Sequence, residues 1–470
     1  MKKVYGLWLL AFGLKLFGSA WDTSWHFKYF FDTFSPPHNV NTVGFLLAWA
    51  LVGYHCGGTA WAQRQAARLP AGLQRFTRKW VLLEHLGSER HMDRGSLILT
   101  TTGLFVFLVA APIDQVWHRI FGLDLTTWSP THLGLFAGTE LAILGVLMGV
   151  YRHGRTNQRG SFDSIALLCL GGFLLEAFLF ACGQQEYGYI TLYAINHPDY
   201  VNVQHMTTFP IPALLAAAQN QGGAYALATG NVPAWIYPFY QLLMVTAILQ
   251  FMRLLHHRAW TGTAVAALYL AYRLLARFLL HSFDFPISFV PYYLIGIGLS
   301  LDIAGALALL TARFSFSGKQ APEALAVETA PHGLRPPSPS SGTPPAPTSE
   351  HAGKRGRGTR VGGFGGGTPL GATLVASGWG ALAAAGATAS VYGGAAMIQR
   401  FEVMPPIPLG SPQYAFFNGG FPIGFLLACL GLWIAAQVVA LFAAQARRQQ
   451  ALAAAEARKR ERVALAAKKV

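Results

Sequence analysis

Charge is what this 470-residue sequence has least of: Asp, Glu, Lys and Arg together make up 12% of it, against roughly a quarter in a soluble protein. With 53% hydrophobic residues and a mean hydropathy of +0.37, the shortfall excludes an ordinary soluble domain. It points to an all-α, polytopic integral membrane protein. Acidic groups are the scarcer sign, 20 against 35 Lys and Arg, for a net charge of +15. The basic excess falls mostly in loops and ends between apolar runs. It therefore reads as a membrane-topology signal, and nucleic acid is excluded as a partner. Cysteine is also sparse. Cys56, Cys169, Cys182 and Cys429 sit in or beside apolar segments with no CxxC or CxxCH spacing. Thiolate metal sites, haem attachment and a disulfide frame thus lack a basis, and buried free thiols remain. Phosphate-binding glycine loops, nucleophile elbows and zinc-protease motifs are missing too.

What is present is apolar runs, at 4–20, 41–62, 95–113, 132–151, 162–183, 234–254, 260–282, 287–312, 368–397 and 420–444. These predict about ten transmembrane helices of about 20 residues each. Connections alternate in character. Arg64, Arg68, Arg75, Arg78, Lys79, Arg90 and Arg94 fill one, Arg152, Arg155 and Arg159 another, and Arg253 and Arg258 flank a tight turn. The intervening connections, 21–40, 114–131, 184–233, 283–286 and 398–419, are aromatic and acidic. The bias predicts an inner (cell) membrane protein with both termini cytoplasmic. The N-terminal run resembles a signal peptide up to Gly18-Ser19-Ala20, but Lys15 interrupts it, so an uncleaved first helix is expected. Domain organisation follows: an eight-span body over 1–312, a Pro/Gly/Ser-rich disordered cytoplasmic linker over 313–367, a two-span hairpin over 368–444 and a basic tail over 445–470. The tail has the composition of a cytoplasmic helix lying near anionic lipid.

Two polar stretches stand out. From Asp114 the chain reads DQVWHRIFGLDLTTWSPTH, and from Asp22 it reads DTSWHFKYFFDTFSPPH. Both give, in order, Asp, Trp, His, Asp, Ser-Pro and His: Asp22, Trp25, His26, Asp32, Ser35-Pro36 and His38 in one, and Asp114, Trp117, His118, Asp124, Ser129-Pro130 and His132 in the other. In spacing they differ by two residues, inserted between the second Asp and the Ser-Pro. Such recurrence predicts an internal duplication. Asp22 and His26, like Asp114 and His118, are four apart and share a helix face. Ser-Pro reads as an N-cap followed by proline at the first helical position, which puts His38 and His132 in the first turn of the next helix. One carboxylate and two imidazoles per copy make a candidate metal site with open coordination positions, suited to copper(II), zinc or iron(II). Asp32 and Asp124 are candidate acceptors for a ligand histidine's second N–H, or turn formers. Interfacial anchoring accounts for Trp25 and Trp117. By the same charge bias, both metal loops open on the outer face.

The segment WHRIFGLDLTTWSPTHLGLF, with Asp114 four before its histidine, resembles the metal-binding segment of the C subunit of particulate methane and ammonia monooxygenases. That segment has an Asp, three residues, a His after Trp, an acidic turn, then Pro-x-His opening the next helix. Asp114, Trp117-His118, Asp124 and Pro130-Thr131-His132 stand in those places, over about 20 residues. The family subunit is helical and carries a second, similar site beginning with Asn, where this chain keeps Asp22. The resemblance implies an intramembrane copper or zinc site in a component of an oxidoreductase acting on a small apolar substrate with dioxygen. This chain has no cupredoxin-like domain, so a cupredoxin-containing partner subunit would supply one, beside the lipid bilayer itself. A metal or proton transporter, or a copper-handling assembly factor, would use the same ligands transiently.

Other polar groups at membrane depth are functional candidates by default. Arg273, Arg277 and His281 are spaced to share one helical face, and an ion pair between Arg273 and Asp302 is geometrically allowed. Glu140 and Glu176 also fall inside apolar spans. Glu186, His197, Asp199 and His205 match neither copy of the motif, and His256-His257 reads as a loop feature.

Overall fold

The computed structural model describes residues 2–28, 35–57, 67–76, 92–121, 129–156, 161–181, 236–256, 258–285, 290–316, 378–392, 423–441 and the single positions 451, 455 and 458. Among them there is no strand. A chain this apolar has one local solution: in hydrocarbon every backbone N–H and C=O must be satisfied internally, and the α-helix does so within one segment. The helices are α1 (Lys2–Lys28), α2 (Pro36–Gly57), a short α3 (Ala71–Phe76), α4 (Arg94–Phe121), α5 (Pro130–Thr156), α6 (Ser161–Ala181), α7 (Ile236–His256), α8 (Thr261–Ser282) and α9 (Leu294–Phe316). Two further helical stretches run over 378–392 and 423–441.

The protein is a helical membrane protein. Among the described residues, seven helices are long and apolar enough to cross a bilayer: Val4–Trp25, Arg94–Trp117, Pro130–His153, Ser161–Leu179, Thr261–Ser282, Leu294–Thr311 and Ile423–Leu441. The other three expected spans coincide with helices that fall short of this. α2 opens on the polar PPHNVN, α7 carries Gln241, Gln250 and Arg253, and 378–392 is the shortest of the three.

The chain divides into two compact units, Met1–Ala304 with Gly380–Val470, and Gly305–Trp379. In the first, α1 lies along α2 and α4 along α5, while α6 packs against α1, α5, α7 and α8. Trp8, Phe12, Leu104, Ile143, Leu147, Leu167 and Leu175 fill its interior. Glycine lets the paired helices approach. A Cβ on Gly44 would lie 2.5 Å from the Ala11 carbonyl oxygen, and one on Gly138 would lie 2.6 Å from the Phe107 nitrogen. Residues 386 and 431 pack within the same unit, a Cβ on Gly386 lying 2.5 Å from Ser300 Oγ and one on Gly431 2.5 Å from the Leu243 carbonyl. In the second unit, Trp379 Nε1 donates to Thr311 Oγ1 at 3.0 Å. The predicted linker begins inside α9, which continues to Phe316, and the rest of 313–367 lies outside the described residues.

Two side-chain expectations are corrected. Arg273 pairs not with Asp302 but with Glu176, Nη1 to Oε1 at 2.9 Å, with both side chains almost wholly buried. Asp302 instead meets Arg253 Nε at 2.7 Å and accepts from the Thr263 backbone N–H and hydroxyl, each at 2.8 Å. The reason is depth. Asp302 lies beside the first turn of α8, where the backbone N–H groups of a helix start need an acceptor, whereas Arg273 sits three turns further along α8, level with α6. Arg277 is half-buried and His281 exposed, so the three-residue face is only partly internal. His256 is no loop feature: it ends α7, is buried, and its Nδ1 lies 3.0 Å from Thr261 Oγ1.

Candidate metal centre

Each copy of the motif is built from the end of one helix and the start of the next. In the first, α1 carries Asp22 near its C-terminal end, and Ser35 caps α2. The His38 backbone N–H donates to Ser35 Oγ at 3.4 Å, and the Asn39 N–H closes the first helical bond on the Ser35 carbonyl at 3.0 Å. In the second, the His132 N–H donates to Ser129 Oγ at 3.3 Å and the Leu133 N–H to the Ser129 carbonyl at 3.0 Å. Serine at the cap with proline behind it fixes the entry of the chain into the helix. The histidine is thereby held in the first turn, facing the preceding helix.

The two facing pairs follow. His38 Nε2 lies 3.1 Å from Asp22 Oδ1, and His132 Nε2 lies 3.6 Å from Asp114 Oδ1. All four side chains are partly buried, Asp114 the most deeply at 13% exposed. Two donors about 2.1 Å from one ion, at the angles of tetrahedral or octahedral coordination, stand about 3.0–3.4 Å apart. The first pair has that spacing. The second is wider by a few tenths of an ångström and has a competing partner, since Thr131 Oγ1 donates to the same Asp114 Oδ1 at 2.6 Å and lies 3.1 Å from Ser129 Oγ.

The third expected ligand in each copy, His26 or His118, lies on the helix that carries the aspartate, but its side chain is outside the described residues. So are Asp32, Asp124 and the whole of 184–205. Among the described residues, no group of three His, Cys, Asp or Glu side chains is assembled around one point. Of the six expected ligands, then, Asp22 with His38 and Asp114 with His132 are brought together in twos. Trp25 has a packing partner: its ring stacks on Phe285 at 5.6 Å between centroids, and Trp21 meets the same ring edge-on at 5.8 Å.

The helix pairs beneath also correspond. The residue eleven before the aspartate, Ala11 or Gly103, has its carbonyl against the glycine six after the histidine, Gly44 or Gly138: a Cβ on either glycine would meet that oxygen at 2.5 or 2.7 Å. The residue seven before the aspartate is Lys15 in one copy and Phe107 in the other, and these two touch. Lys15 Nζ sits 3.2 Å from the Phe107 ring centroid. Tyr5 near the start of α1 likewise meets His153 near the end of α5, at 6.0 Å between ring centroids. α1 and α4 therefore run parallel, and both Asp–His pairs open at one end of the bundle.

Sequence reasoning missed four residues here, Lys15, Asn41, Ser19 and Thr131. Lys15 is 1% exposed and donates to Asn41 Oδ1 at 3.2 Å; Asn41 Nδ2 in turn donates to Ser19 Oγ at 2.9 Å. The signal was available, because Lys15, Ser19 and Asp22 follow the helical spacing of one face. Thr131 occupied the unconstrained place of Pro-x-His and drew no attention. Glu140, two turns from His132 on α5, is half-buried, and Glu176 is committed to Arg273.

No protein-family model matches this chain, and no curated protein or solved structure is significantly similar to it.

Proposed function

We propose that this is a metal-binding membrane protein with two Asp-His-His sites, Asp22, His26 and His38 in one and Asp114, His118 and His132 in the other. The observation that carries the reading is the repeated approach of an aspartate at one helix end to a histidine in the first turn of the next, at 3.1 and 3.6 Å. The shared capping bonds and the matching glycine contacts favour descent of α1–α2 and α4–α5 from one duplicated helix pair. On this reading α2, α7 and 378–392 complete a ten-span bundle, with both termini on the cytoplasmic side of the cell membrane and both sites at its outer face.

Copper is the preferred ion, with zinc and iron as alternatives, because the local resemblance is to the C subunit of particulate methane and ammonia monooxygenases. The proposed role is a component of an oxidoreductase acting on a small apolar substrate with dioxygen. A bound copper would supply the redox step. The chain's own residues have other tasks. His38 and His132 are oriented by their capping serines, the aspartates add negative charge that offsets the ion's, and Thr131 fixes the rotamer of Asp114. Electrons would come from a partner, and a cupredoxin-containing subunit fits that need.

A second reading, a metal or proton transporter or a copper-handling factor, draws on the buried polar groups below the sites, Lys15 with Asn41 and Arg273 with Glu176. The test common to both readings is metal content of the purified protein with X-ray absorption at the bound metal. The parent should hold two ions with nitrogen and oxygen neighbours, and His38→Ala and His132→Ala about one each. Unchanged metal content in both variants would end the proposal. Turnover with a cupredoxin-containing partner favours the oxidase reading, and metal flux into vesicles the transporter.

A further inference from the structure

The turn into α8 breaks two local rules at one residue. Trp260 stands in the N-cap place with φ 62° and ψ 18°, and its side chain makes no capping bond. N-caps are ordinarily Ser, Thr, Asp or Asn, and the left-handed region is ordinarily left to Gly, Asn or Asp. The turn around it is nonetheless fixed. Thr261 Oγ1 donates to the Arg258 carbonyl at 2.8 Å and lies 3.0 Å from His256 Nδ1. Asp302 of α9 accepts from the Gly262 and Thr263 N–H groups at 3.3 and 2.8 Å. Asp302 thus does the work of an N-cap side chain, and the indole contributes nothing to the start of the helix. Nor does it pack inside. Trp260 is 56% exposed, and its indole N–H has no partner among the described residues.

A strained residue held by a rigid turn, with no task for its side chain inside the protein, finds its purpose outside. The surroundings specify lipid. The membrane-crossing stretch begins at Thr261, so the indole stands at the edge of the hydrocarbon, the depth tryptophan favours. Ala267, Ala271, Leu274 and Phe278 form an exposed apolar stripe on α8, and position 260 is in line with it. At the far end Phe283 is 62% exposed. The 22 residues between these two rings run about 33 Å, close to the roughly 30 Å of a hydrocarbon core. Of the two arginines beside the turn, Arg253 is committed to Asp302, whereas Arg258 is exposed and has no carboxylate partner among the described residues. We propose that the Arg258–Trp260 turn binds an anionic phospholipid of the surrounding leaflet, with Arg258 on the headgroup phosphate and the indole at the glycerol level. The inference rests on the membrane-spanning helices alone and is independent of the metal reading.

The experiment follows the thermal unfolding midpoint of full-length protein in detergent while dioctanoyl phosphatidylglycerol or dioctanoyl phosphatidylcholine is titrated in. The parent should be stabilised by the anionic lipid at lower concentration than by the zwitterionic one. Arg258→Gln should weaken the apparent affinity for phosphatidylglycerol about fivefold, the loss expected for one basic residue at a membrane surface, and leave the response to phosphatidylcholine as it was. Trp260→Gly should weaken binding of both lipids. Its lipid-free midpoint should equal or exceed the parent's, because glycine takes this backbone conformation without strain. Inorganic phosphate at the same concentrations should have no effect. Equal responses of the parent to the two lipids, a phosphatidylglycerol response unchanged in either variant, or one reproduced by inorganic phosphate overturns the inference. A lower lipid-free midpoint for Trp260→Gly also overturns it, since the indole would then serve the fold.

Discussion

The two copies of the motif share a frame and differ in what fills it. In both, an aspartate near a helix end faces a histidine in the third position of the next helix, a serine caps that helix, and a glycine six residues on admits the partner backbone. Below the first pair lie Lys15, Asn41 and Ser19, joined by hydrogen bonds; below the second lie Phe107, Leu135 and Ala111. Beside the aspartate, Pro37 in the first copy stands where Thr131 in the second donates a hydrogen bond. Backbone approach and capping are thus common to both pairs, and the side chains that set charge and polarity are not. A frame set by glycine contacts and caps tolerates exchange of the groups around it, so the two pairs keep one backbone arrangement in different polar surroundings.

The comparison breaks most visibly at the glycines. Gly44→Ala and Gly138→Ala each force a methyl group against opposing backbone at 2.5–2.7 Å, where no flexible side-chain end can yield. Each should destabilise the protein by about 2–3 kcal/mol, read as a lower midpoint of thermal unfolding in detergent. Equal losses support equivalent packing of the two helix pairs. A tolerated Gly44→Ala beside a damaging Gly138→Ala would show that the pairs carry unequal weight.

Thr131 sharpens the contrast with a smaller effect. It is buried, and its hydroxyl donates to a carboxylate oxygen at 2.6 Å. Thr131→Val keeps the shape and deletes the donor, so it should cost about 1–2 kcal/mol of stability. It should also free Asp114 Oδ1 to close on His132. Pro37→Ala at the corresponding place removes no donor and should leave the Asp22–His38 spacing as it is. Unfolding midpoints and the metal–oxygen distance from X-ray absorption check both statements.

How much of this was legible in the sequence depends on range. The Ser-Pro caps and the first-turn placement of both histidines were readable because capping is decided by neighbouring residues. The approach of His38 to Asp22 and of His132 to Asp114 followed from the same local rule once the helices were taken as consecutive. The partner of Arg273 was not readable. Spacing along one helix gives a face and a rough depth, but Glu176 or Asp302 is chosen by how α6 and α9 flank α8. Lys15 was visible as an interruption of an apolar run, yet its meaning depends on Asn41 and Phe107, which come from two other helices. Side-chain period locates a polar group on a helix; only packing supplies what it faces.

The smallest expected difference lies at the caps. Ser35 Oγ and Ser129 Oγ accept the His38 and His132 backbone N–H groups at 3.4 and 3.3 Å, long bonds of nearly the same geometry. Each histidine is also held by its proline-fixed first turn and by the aspartate it faces. Ser35→Ala and Ser129→Ala should therefore cost about 0.5–1 kcal/mol each, the low end of the range for a lost N-cap, and the two losses should match. Ser129 has one further contact, Thr131 Oγ1 at 3.1 Å, which its counterpart lacks because Pro37 has no hydroxyl. A larger loss for Ser129→Ala would therefore be traced to Thr131, and the Ser129→Ala/Thr131→Val double variant separates the causes. If the excess vanishes in the Thr131→Val background, the caps are equivalent and the Thr131 hydroxyl alone makes the second pair the more firmly held.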